Sequence, residues 1–125
     1  MESLLYLLPL FGVVGLLYMA YQFSWVNKQD EGEGKMKIIA GHIREGAMAF
    51  LKAEYRVLAV FVVIAGIALG ILSTIANTSH WFIVIAFVIG AFSSALAGFI
   101  GMRVATAANV RTTQAARTSL SKALK

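Results

Sequence analysis

Residues 57–102 read VLAVFVVIAGIALGILSTIANTSHWFIVIAFVIGAFSSALAGFIGM and contain no Asp, Glu, Lys or Arg. As a single helix this run would rise about 69 Å at about 1.5 Å per residue, more than twice a hydrocarbon core of roughly 30 Å. It must fold back. The break is Asn77-Thr78-Ser79-His80, a polar stretch followed by Trp81, a residue type favoured at the membrane–water interface. The run therefore reads as two transmembrane spans, 57–76 and 81–102, joined by a tight polar turn. Asn77-Thr78-Ser79 also has the form of a glycosylation sequon, but so tight a turn against the membrane favours the plain hairpin.

A third apolar run precedes them. Residues 4–23 hold no charge and are long enough to cross a bilayer. Pro9 lies in the first turns, where a lost backbone hydrogen bond matters least. A cleaved signal peptide would need a basic leader and a small-residue cleavage site. Instead Glu2 precedes the run and Tyr21-Gln22-Phe23-Ser24-Trp25 closes it. The expected fold is all-α, an integral membrane helical bundle with three spans. The hydrophobic fraction of 59% and charged fraction of 14% both depart from soluble domains in the direction of a membrane protein.

The charges set an orientation. All 11 Lys and Arg lie either in the loop 24–56 (Lys28, Lys35, Lys37, Arg44, Lys52, Arg56) or in the tail 103–125 (Arg103, Arg111, Arg117, Lys122, Lys125). Three spans put loop and tail on one side. The positive-inside rule makes that side cytoplasmic and the N-terminus external.

Within the loop, Asn27-Lys28-Gln29-Asp30-Glu31-Gly32-Glu33-Gly34 reads as a flexible linker. From Lys35 the spacing of Ile39, Ile43, Ala47 and Phe50 predicts an amphipathic helix running on into the second span, either lying at the cytoplasmic interface or packed under other membrane helices, two placements that the sequence does not separate. The tail lacks Gly and Pro and is expected to extend the third span as a helix at least to Arg117. Its basic residues read as contacts to lipid phosphate and as determinants of topology. It lacks the interleaved aromatics of a single-strand binder, so no nucleic acid is expected as a partner. Small residues recur at helical spacing: Gly66 and Gly70 in span two, and Gly90, Ser94, Gly98 and Ala97, Gly101, Ala105 along span three. Such stripes let helix backbones approach closely, and two on one span point to a larger bundle.

Chemistry-bearing clusters are scarce. No ionisable carboxylate or amine lies inside a span. There is no Cys. His42 and His80 are expected on opposite sides of the membrane and cannot form one site. Asp30, Glu31 and Glu33 lack the ligand spacing of a calcium loop and read as a solvated linker. No residue is assigned a catalytic, cofactor-binding or metal-binding role.

The segments Ile43-Arg44-Glu45-Gly46-Ala47-Met48-Ala49-Phe50-Leu51 and Gly90-Ala91-Phe92-Ser93-Ser94-Ala95-Leu96-Ala97-Gly98-Phe99-Ile100-Gly101-Met102, with the continuation Arg103-Val104-Ala105-Thr106-Ala107-Ala108-Asn109-Val110-Arg111-Thr112, resemble membrane-bound, ion-translocating inorganic pyrophosphatases. The first span matches in character only. The resemblance implies a homodimeric multi-helix pump that hydrolyses pyrophosphate at a cytoplasmic site with Mg²⁺, with K⁺ as a further cofactor in some members, and moves H⁺ or Na⁺ outward. It implies that this chain is the N-terminal part of such a pump, its acidic and coupling motifs lying in later helices. Gly90, Ser94, Gly98 and Gly101 become packing contacts with other helices. Arg111 and Asn109 become braces at the cytoplasmic end of the bundle. The alternative is an independent three-span, non-enzymatic scaffold or accessory subunit.

Overall fold

The structure, a computed structural model, describes residues 7–75 and 80–124. Among the described residues four helices follow one another: α1 (Leu7–Asn27), α2 (Lys35–Ile75), α3 (Phe82–Ala116) and α4 (Leu120–Ala123). The first three are each long and apolar enough to cross a membrane. Among the described residues there is no strand, so the chain is an all-α membrane helical bundle. The turn expected at 77–79 lies outside the described residues. His80 and Trp81 lead directly into α3, with the Trp81 ring stacked on Phe82 at 4.5 Å between centroids.

The long helices overrun the apolar runs because nothing stops them. α1 continues past Phe23 to Asn27, since 24–27 contain neither Gly nor Pro. α2 starts at Lys35, where the change in periodicity places it, and its 41 residues join the amphipathic segment and the second span in one helix. At about 1.5 Å per residue it measures roughly 61 Å, so a bilayer crossing uses about half of it. α3 ends at Ala116, one residue short of the expected Arg117, and a turn at 117–118 precedes α4.

The chain forms two compact units, residues 41–103 and residues 1–40 with 104–125. Within 41–103 the α2 and α3 segments pack antiparallel. Tyr55 pairs with Ala95 and Gly98, and Gly70 with Val84, so partners rise along one helix as they fall along the other. The Tyr55 hydroxyl donates to the Ala95 carbonyl. A Cβ on Gly98 would sit 3.2 Å from that hydroxyl oxygen, so the glycine of the span-three stripe makes room for a tyrosine of the same unit. Gly66, Gly90 and Gly101 meet nothing within 4 Å at the Cβ position. Ser73 and Thr74 donate to the carbonyls of Gly70 and Ile71 at 2.8 and 2.7 Å. Their hydroxyls are thereby satisfied where no water is at hand. Leu51 is the buried residue of α2, while Phe50 of the expected apolar stripe is exposed.

Large apolar side chains along α1, α2 and α3 stay exposed all round. In water so much contiguous apolar surface would drive association. In a bilayer it is the normal exterior of a helix whose backbone bonds are closed internally.

In the full-length protein, Tyr55→Phe is expected to lower stability by about 0.5–1.5 kcal/mol through loss of the interhelical bond. Gly98→Leu is expected to cost about 1–3 kcal/mol through overpacking and to reduce folded yield more than activity per folded molecule. Size-exclusion profiles after graded heating measure both. A Gly98→Leu protein with wild-type yield and midpoint would refute the packing role.

Candidate functional site

The densest polar constellation lies in the unit formed by residues 1–40 and 104–125, around the guanidinium of Arg111. α3 carries Arg111 on the face that also buries Thr106, Ala107 and Val110. Its side chain is 9% exposed. Burial of a guanidinium is costly unless its charge is paired and its N–H groups are bonded. Both conditions hold. Nη2 donates to Glu31 Oε1 at 2.6 Å and to the Asn27 carbonyl at 3.4 Å. Nε donates to the Gln29 carbonyl at 3.2 Å, and Nη1 to the Ala107 carbonyl at 2.6 Å.

The Asn27 carbonyl belongs to the last residue of α1, where carbonyls lack intrahelical partners and the helix dipole places partial negative charge. Lys28 N and Gln29 N turn back onto the Trp25 and Val26 carbonyls at 3.1 and 3.0 Å. Arg111 therefore completes the C-terminal cap of α1 from a different helix. A lysine could supply the charge but not the planar fork of donors.

The linker is shaped to meet it. The Gly32 N–H donates to Asp30 Oδ1 at 2.9 Å, and Gln114 Nε2 donates to Asp30 Oδ2 at 3.0 Å. Gly32 has φ +73°, and a Cβ there would lie 2.9 Å from Gln114 Oε1. Both conformation and space require glycine. Gly34, at φ +57°, sets the direction of entry into α2. The Gly32 N–H and then the Gln114 amide hold the Asp30 carboxyl below its usual 3.8 against the opposing effect of desolvation, and the Lys37 charge adds the least.

The linker read as flexible and solvated keeps Asp30 and Glu33 exposed to solvent but is tied to α3 at two points. Asp30 and Glu31 are the partners of Gln114 and Arg111. The Asp-x-Gly spacing was the available signal, because an Asp side chain readily accepts the N–H two residues on. The pairing of Glu31 with Arg111 has no local signature. The expected brace falls to Arg111. Asn109 is exposed, and it is its backbone carbonyl that accepts a bond, from Thr113 Oγ1 at 2.9 Å. His42 lies 3.9 Å from Glu45 on an exposed helix face.

Among the described residues no group of three or more His, Asp or Glu could hold a metal ion. The acidic residues nearest each other are already bound to Arg111, Gln114 and Gly32. They do not fit a Mg²⁺ site, and no step of a metal-dependent reaction is derived from them.

The family model for inorganic H⁺ pyrophosphatases matches residues 13–125. The chain belongs to that family. It is 45% identical over 94% of its length to a K⁺-insensitive pyrophosphate-energized proton pump of Moorella thermoacetica, covering 17% of that protein. It is 42% identical over its whole length to a K⁺-insensitive pyrophosphate-energized proton pump of Methanosarcina mazei, covering 18%. It is 39% identical over 94% of its length to a K⁺-stimulated pyrophosphate-energized sodium pump of Thermotoga maritima, covering 15%. The chain thus spans less than a fifth of the length of these curated relatives. No solved structure matches it. The resemblance carried by 43–51 and 90–112 lies within the matched residues, and the Arg111 node is a feature of this pyrophosphatase-family chain.

Arg111→Ala is expected to lower stability by about 1–3 kcal/mol, by leaving Glu31 and two carbonyls without their donor. Arg111→Lys should recover only part of the loss. Thermal unfolding of the full-length protein followed by protease cleavage within 28–34 checks both. A fully stable Arg111→Ala protein would exclude the capping role.

Asp30 gives a pH signature. Its folded pKa is depressed, so its contribution is present above 3.8 and is lost as pH falls through the lower folded value. Asp30→Asn should remove the part of the acid-side decline that falls below about pH 3.8, measured as the unfolding midpoint against pH.

Proposed function

We propose that the chain is the N-terminal portion of a membrane pump that couples pyrophosphate hydrolysis to the transport of H⁺ or Na⁺, contributing scaffold and topology. The observation that carries this reading is the family match over residues 13–125, together with relatives named as pyrophosphate-energized pumps. The spans are taken as 4–23, 57–76 and 81–102, with the loop 24–56 and the tail 103–125 cytoplasmic and the N-terminus outside. That orientation rests on the segregation of basic residues. The segment 35–56 is placed at the cytoplasmic face because its charges exclude it from hydrocarbon.

Pyrophosphate and Mg²⁺ are assigned to the remaining helices of the pump, since the carboxylates here are engaged in the linker. Dimerisation is proposed from the family resemblance. K⁺ is a cofactor for the pump on the same footing, as relatives are named both K⁺-stimulated and K⁺-insensitive. In this reading Arg111 fixes the cytoplasmic end of α1 to the extension of α3.

Two measurements test the proposal. A denaturing gel of source membranes, probed with an antibody to residues 28–56, is expected to show a band several times heavier than 13.5 kDa. Vesicles containing that polypeptide are expected to release phosphate from pyrophosphate and build an H⁺ or Na⁺ gradient. A band near 13.5 kDa would replace the pump assignment by the three-span scaffold.

A further inference from the structure

Beside the Arg111 node, in the same unit, is a cleft of about 230 Å³. Trp25 and Val26 at the end of α1, Asp30 in the linker, and Ala108, Arg111 and Thr112 of α3 are among its lining residues. The turn after α3 brings Thr118, Lys122 and Ala123 onto the same cleft. We propose that this cleft holds the headgroup of a zwitterionic aminophospholipid from the leaflet on the side of the tail.

Three observations carry the assignment. The first is charge. Arg111 is balanced by Glu31. That leaves Lys122, which makes no ion pair among the described residues, and the Asp30 carboxylate, bonded to neutral N–H donors with the Lys37 charge acting on it only weakly and from outside the cleft. One cation and one anion on a single cleft match a phosphodiester carrying a primary ammonium. A purely anionic headgroup would meet Lys122 favourably and Asp30 unfavourably.

The second is donor chemistry. Thr112 and Thr118 line the cleft, and hydroxyls can donate to phosphate oxygens beside the Lys122 ammonium. The third is depth. Ala108 lies five residues beyond Arg103, the first charge after the third span, a rise of about 7.5 Å. The headgroup layer is about 5–7.5 Å thick on each side of the hydrocarbon. Trp25, an interfacial residue type, opens the same cleft at the end of α1. The apolar wall of Trp25, Val26 and Ala108 suits the glycerol end of a lipid, and a free phosphate would leave it uncovered.

The test is native mass spectrometry of the full-length protein in detergent, titrated with phosphatidylethanolamine or phosphatidylglycerol, with inorganic phosphate and pyrophosphate as competitors. The expected result is one tightly held phosphatidylethanolamine, preferred at least about tenfold over phosphatidylglycerol. Lys122→Ala should weaken retention about tenfold or more through loss of a charge-assisted bond, and Lys52→Ala, outside the cleft, should not. Asp30→Asn, which keeps an acceptor for Gly32, should abolish the headgroup preference while retaining binding. Equal retention in Lys122→Ala and Lys52→Ala would overturn the proposal, as would preference for phosphatidylglycerol. Displacement by phosphate or pyrophosphate at concentrations that leave the Lys122→Ala protein unaffected would reassign the cleft to a soluble phosphate.

Discussion

The unit built from the chain's two ends depends on the desolvation of one guanidinium. Arg111 is buried on α3, and a buried cation is tolerated only when its donors are met. Its own helix supplies one acceptor at Ala107, and the others come from 27–31. The requirement therefore reaches across the chain and dictates the path of the linker. The tight turn at Asp30–Gly32, the glycine at positive φ against Gln114 and the closure of the α1 C-terminus all serve that path. Removing the carboxylate or the glycine attacks the same constraint from different sides.

In the unit 41–103 a different balance operates. Lipid tails are as apolar as the side chains, so burial gives little drive for α2 and α3 to associate. Close approach and polar contacts take over. The Tyr55 hydroxyl on a helix carbonyl, with Gly98 beneath it, is the clearest instance. At the end of the span Arg103 lies over the Phe99 ring at 5.7 Å, its charge held beside an aromatic face where the apolar run ends. At Gly66, Gly90 and Gly101 the Cβ position is open among the described residues.

The fold was legible in the sequence to the extent that it depends on sustained patterns. An uncharged run twice the bilayer thickness, a polar break before Trp81, and the onset of helical spacing at Lys35 placed α2 and α3 to within a few residues, and the separate charge-free run 4–23 placed α1. The Arg111 node was legible only in outline. From the family resemblance Arg111 was expected as a brace at the cytoplasmic end of a bundle, and Asn109 was grouped with it. Which of the two turns inward depends on the azimuth of α3 against the linker, and single-sequence periodicity does not give that angle for a helix apolar nearly all round. The anchoring of the acidic linker was not legible because its local composition is that of a solvated loop. Its structure comes from partners about 80 residues away in sequence, and a local window contains none of them.

That separation has a consequence for biogenesis. At a synthesis rate of about 5–20 residues per second, Glu31 is made roughly 4–16 s before Arg111 exists. During that interval the end of α1 lacks the donors that Arg111 later brings, and the Glu31 carboxylate lacks its partner. The first span thus enters the membrane without its lock. It stays free to shift or tilt until the third span has been inserted and its extension delivers the guanidinium, so the register of the first helix is fixed by a residue from the last of the three.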